Sequence, residues 1–188
     1  QAQAVGAFAM PVICILTSVA LLINPDPNVS AAEFSSTWWF PIHTTILVFA
    51  YAAFFIVFMA SVMYLLQERE LKLKTFSAFF HRLPSLSTVN EIATHAAAIG
   101  LTLLTLGLVA GVFWNWSLQR QLWRNDPKEI FAVLTWLLYF FLIVYRSTAN
   151  WRGRRAAWLG VIGFVLVLCT FLAAPLFGSY HVFGFALM

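Results

Sequence analysis

Five apolar runs, at residues 4–23, 44–66, 92–114, 129–145 and 157–177, take up most of this chain, with polar connectors between them. Each run is close to the roughly 20 residues an α-helix needs to cross the hydrocarbon core of a bilayer. Backbone groups surrounded by lipid must be satisfied within their own segment, so such runs fold as helices. The expected fold is all-α: a polytopic membrane helix bundle with about five transmembrane helices, forming a single transmembrane domain over residues 1–188. Composition points the same way. The chain is 62% hydrophobic and 10% charged, against roughly 25% charged in a soluble domain, which leaves far too much apolar surface for one water-soluble core. The net charge of +4 is no nucleic-acid footprint, because the basic residues gather in connectors rather than along one face.

Helix boundaries are written into the connectors. Asn24-Pro-Asp-Pro27 ends the first run, which tolerates Pro11, and Gln67-Glu-Arg-Glu70 stops the second. Thr88-Val-Asn-Glu91 reads as a capping box that opens the third. Asp126-Pro-Lys-Glu129 opens the fourth, with Asp126 as N-cap and Pro127 in the first helical position. Gly100, Gly107 and Gly111 in the third run would allow close helix contacts. Cys14 and Cys169 lie in apolar runs and read as small buried hydrophobes. The chain has no Cys-x-x-Cys-His with which to attach a c-type haem to itself. It starts without Met and without a basic signal region, so it is expected to be processed or to begin inside a longer protein.

Counting Lys and Arg sets the expected orientation. The connector at 67–90 carries Arg69, Lys72, Lys74 and Arg82, and that at 146–155 carries Arg146, Arg152, Arg154 and Arg155. The other side has only Arg120, Arg124 and Lys128. The basic connectors are therefore expected in the cytoplasm of a bacterial-type inner (plasma) membrane, and a Trp-rich loop is expected outside. His43, the 114–129 segment and His181 then converge on the outer face.

Two helices that each offer one neutral imidazole can clamp a haem iron between them, so His43 and His181 are candidate axial ligands. Trp114, Trp116 and Trp123, with Trp38 and Trp39 in reach, could form a flat apolar platform beside them. Arg120, Arg124 and Lys128 could pair with propionates. The residue types also fit a blander arrangement, with the tryptophans as an interfacial belt and the histidines as hydrogen-bonded structural residues. His81 reads as solvated in its basic connector. His95 enters the third run near the cytoplasmic interface, where an ionisable residue invites a functional role but can equally snorkel or bond a neighbouring helix.

Gly111-Val-Phe-Trp-Asn-Trp-Ser-Leu-Gln-Arg-Gln-Leu-Trp-Arg-Asn-Asp-Pro-Lys-Glu129 resembles the tryptophan-rich WWD segment of the cytochrome c assembly family, which includes CcsA/ResC, CcmC and HemX-like proteins. The resemblance continues through Thr135-Trp136, Asn150-Trp-Arg-Gly-Arg-Arg-Ala-Ala157 and Gly163-Phe164 to Gly178-Ser-Tyr-His181. Upstream it takes in His43, Tyr51-Ala-Ala-Phe54 and Leu83-Pro-Ser-Leu86, and so covers residues 43–181 in order. It implies haem b held by His43 and His181, with Trp114 and Trp123 as platform and Asp126 shaping the exit of the loop.

Four departures mark a divergent or HemX-like member. Asn125 stands where the motif has a second Trp, and Gln119-Arg120 where Trp-Gly is usual. Val144 stands where CcsA-type proteins carry a transmembrane histidine for a second haem, and His181 is displaced by about one residue. The function implied is haem handling of cytochrome c biogenesis type at the outer face, at most as a component of a cytochrome c haem lyase. Its partners would be the bilayer, other membrane subunits and apocytochrome c, with no nucleic acid. A structural or regulatory subunit that kept the fold but lost transfer is the alternative. An electron-carrying b-type cytochrome is disfavoured, since His95 has no evident partner on another span.

Overall fold

The computed structural model describes residues 10, 13–14, 38–74, 84–119, 127–148 and 153–177. Four helices make up this part: α1 (Trp39–Leu73), α2 (Leu86–Gln119), α3 (Pro127–Thr148) and α4 (Arg154–Phe177). All four are long and apolar enough to cross a membrane. The expected 4–23 helix lies outside the described residues except for Met10, Ile13 and Cys14, which are exposed.

Two boundaries differ from those expected. Gln67-Glu-Arg-Glu70 ends the apolar run but not the helix, because Gln, Glu and Arg are strong helix formers once lipid is left behind. α1 continues to Leu73, carrying an exposed Glu68–Lys72 pair at 2.6 Å, and closes with Lys74 in the left-handed region at φ 53°. Such a 35-residue helix is about 50 Å long, well beyond the roughly 30 Å of hydrocarbon. α2 starts earlier than the Thr88 capping box implied. Ser85 is the capping residue: its Oγ accepts from the Thr88 N–H at 3.3 Å and lies 2.8 Å from the Thr88 hydroxyl. Thr88 thus takes the third helical position rather than the cap.

α1 pairs most extensively with α2 and also packs on α4, and α4 packs on α3. The centre of the bundle is a four-layer sandwich. The Phe54 ring stacks on Tyr139, with centroids 3.8 Å apart and planes 11° from parallel. A glycine backs each ring: a Cβ at Gly100 would come within 2.6 Å of Phe54, and one at Gly163 within 2.8 Å of Tyr139. Each of the four helices contributes one layer, and Phe54 and Tyr139 are fully buried. Lipid chains are as apolar as these side chains, so close van der Waals fit rather than escape from water holds such a bundle together. On the far side Phe58 stacks on Phe164 at 4.7 Å, joining α1 to α4.

Polar ties join the helices at mid-length and near one end. Trp136 donates its indole N–H to the Thr105 hydroxyl at 2.8 Å, linking α3 to α2. Gln67, buried at the end of α1, donates to the Pro84 carbonyl at 3.0 Å. Arg146 belongs to the last turn of α3 and not to a solvated connector. Its guanidinium is buried and donates to the Asn90 carbonyl at 3.3 Å and to the Thr94 hydroxyl.

Candidate functional site

The site is built where the start of α1 meets the far part of α2. Phe40, His43, Leu47 and Phe54 recur at spacings of three, four and seven residues, so they share one face of α1. That face meets α2 in antiparallel register, with Phe54 over Gly100, Leu47 over Gly107 and His43 over Gly111. His43 therefore points into the helix pair rather than outward.

The contact fixes which ring nitrogen bears a hydrogen. His43 Nδ1 lies 2.8 Å from the carbonyl oxygen of Gly107. A carbonyl can only accept, so Nδ1 carries the hydrogen, and the lone pair of the neutral ring resides on Nε2. A bond of this type, from one ring nitrogen to a backbone carbonyl, is what orients a histidine that ligates metal through the other.

Trp114 stands one turn beyond Gly111 on the same face. Its indole centroid is 5.9 Å from that of His43 and 5.4 Å from that of Phe40, and the residue is only 3% exposed. Its neighbour Asn115 is also buried. Open aromatic surface belongs instead to Trp38, Trp39, Phe113 and Trp116, with Trp39 stacked on Phe113 at 5.8 Å. Trp114 and Trp116 do not stand on a loop, since α2 runs on to Gln119.

The structure thus brings together His43 and Trp114 of the expected site. Arg120, Trp123, Arg124, Asp126 and His181 lie outside the described residues. Lys128 and Glu129 fall in the first turn of α3, which begins at Pro127 as its sequence implied. His95 is exposed on the opposite part of α2, and Val144 is exposed on α3. Gly107 and Gly111 were legible only as small residues. Their spacing of four, followed by Trp114 three residues on, was the available sign that one helix face is organised around a ring.

Among the described residues no group of three or more His, Cys, Asp or Glu could hold a bare metal ion. Haem iron brings four nitrogens of its own and needs only axial ligands, and a histidine with its lone pair on Nε2 has the donor chemistry for that place.

The sequence profile described as Cytochrome C assembly protein matches residues 1–180. Among curated proteins, the chain is 27% identical to "Cytochrome c biogenesis protein CcsA" of Heterosigma akashiwo (strain NIES-293 / 8280G21-1), an alignment covering 98% of this chain and 68% of that one. The protein of the same name in Guillardia theta is 27% identical, over 96% of this chain and 66% of its own. That of Prochlorococcus marinus (strain MIT 9312) is 28% identical, over 96% and 66%. The chain therefore spans about two thirds of the length of these relatives. No solved structure matches it. With four helices able to cross a bilayer and a family match over nearly its whole length, the chain is an integral membrane protein belonging to the cytochrome c assembly protein family.

Proposed function

We propose that this chain serves cytochrome c biogenesis by binding haem b at the outer face of a bacterial-type inner membrane and presenting it there. The observation that carries this reading is His43, held by the Gly107 carbonyl with its lone pair on Nε2 and packed beside Trp114. In this reading His43 and His181 are axial ligands, and Trp114 and Trp123 form the apolar wall. Arg120 and Arg124, with Lys128, meet the propionates. Asp126, the expected N-cap before Pro127, would shape the exit of the Trp-rich segment. When bound, haem supplies the vinyl groups to which the thiols of an apocytochrome add. Holding that apocytochrome falls to other membrane subunits. A second reading, a subunit that keeps the fold without haem transfer, is favoured by Val144, which offers no lone pair and is 36% exposed on α3.

The test is a haemin titration of purified protein in detergent, followed in the Soret band. Saturation at one haem per chain is expected, and a featureless titration would favour the second reading. His95→Ala is expected to leave the endpoint unchanged, because that side chain is exposed on α2 away from the His43 face. Loss of a second equivalent of haem in this variant would place a site at the cytoplasmic end after all.

The proposed orientation has its own check. In a variant lacking Cys14 and Cys169, single cysteines at positions 77 and 119 are labelled with an impermeant maleimide. Position 119 is expected to react from outside and position 77 only after the membrane is opened. Labelling of position 77 from outside would put His43 on the wrong face for this function.

A further inference from the structure

We propose that the backbone carbonyl of Gly107 and the missing side chain of Gly111 form a seat on α2 for the His43 imidazole, which makes Gly111 a positioning residue and not merely a small residue at a helix contact. The functional half rests on the haem reading above, whereas the geometric half stands apart from it.

In an α-helix the Gly107 carbonyl already receives the N–H of residue 111, so His43 must reach its second lone pair from the side. The side chain of residue 111 would occupy that approach. A Cβ there would lie 2.7 Å from His43 Cε1 and 3.1 Å from Nδ1, so the imidazole would have to swing away from the carbonyl to make room. Only glycine leaves the ring against the backbone and 2.8 Å from the carbonyl. Trp114 closes the next turn of the same face. Floor, acceptor and wall thus come from residues four and three apart on one rigid helix. The tautomer of His43 is consequently set by α2 and not by solvent. Because α2 continues through Trp116 to Gln119, the same rod carries both the histidine seat and the beginning of the Trp-rich segment.

Chemical rescue tests the seat without relying on any bulky substitution. His43→Gly is expected to lose haemin binding, and added imidazole to restore it. 1-Methylimidazole keeps a lone pair for iron but has no N–H for the Gly107 carbonyl. Its rescue is expected to require about tenfold more ligand, in line with the cost of losing an outer-shell partner. Equal rescue by the two would overturn the proposal. Ring nitrogen shifts of ¹⁵N-histidine-labelled protein, without haem, give a readout independent of the cofactor. His43 is expected to show a protonated Nδ1, to lose that single tautomer in Gly111→Ala, and to keep it in Gly100→Ala, where Phe54 is crowded instead. An unchanged signal in Gly111→Ala would also overturn it. The two ideas separate cleanly. Haem binding that survives His43→Ala, with ring shifts as expected, defeats the haem reading and leaves the seat. Binding lost in His43→Ala but indifferent to the methyl group defeats the seat and leaves the reading.

Discussion

Replacing His43 by alanine is expected to cut haem affinity by on the order of 100-fold or more, since even outer-shell partners of a metal ligand are worth about 10- to 100-fold. The substitution removes the Nε2 lone pair and also leaves the Gly107 carbonyl without its side-chain donor. His181→Ala is expected to act similarly if the two histidines clamp one iron. The double variant is then expected to do little more than either single one, because one lost bond already opens the clamp. Equilibrium titration of the three proteins, with circular dichroism confirming retained helix, measures this. Additive losses would mean two independent haem sites, and unchanged affinity in His43→Ala would leave it a structural histidine.

The second large effect concerns the central sandwich. Phe54 fills the space between the Gly100 backbone and the Tyr139 ring, so Phe54→Ala opens a cavity in contact with α1, α2 and α3. In water-soluble cores such a change costs about 3–5 kcal/mol. Here the unfolded reference also keeps the side chain in an apolar medium, so the transfer part shrinks while the lost contacts remain. A cost near 3 kcal/mol is expected, the lower end of that range. Gly163→Val tests the same joint from the other side, because its side chain would drive into Tyr139, and overpacking of this kind costs about 1–3 kcal/mol. Unfolding in a detergent titrated with dodecyl sulfate reports both. Wild-type stability in each would show that the sandwich is not what joins the helices.

The sequence carried the helices well, because the lipid requirement leaves a long apolar run few alternatives. It carried their ends less well, and the reasons are specific. Gln67-Glu-Arg-Glu70 changes the solvent without changing helix propensity, so α1 extends to Leu73. Ser85 and Thr88 both suit a cap, and only the backbone path after Pro84 decides for Ser85. Arg146 counted as a connector charge, yet an acceptor pair on α2 draws it into the bundle. In the candidate site, residue types pointed to His43 and Trp114 but could not show that Trp114 is buried while Trp116 is open. Helical periodicity beyond residue 114 would have suggested it, since residues 107, 111 and 114 share a face and 116 does not. The seat for the imidazole was hidden for another reason. Its acceptor is a backbone carbonyl, which no side-chain motif can advertise.

The central claim, that haem is held through His43, is most directly tested by the pyridine haemochrome spectrum of protein purified from its native membrane in parallel with His43→Ala. One b-type haem per chain in the first and almost none in the second is the predicted result. A haem content that is absent from both, or the same in both, would contradict it.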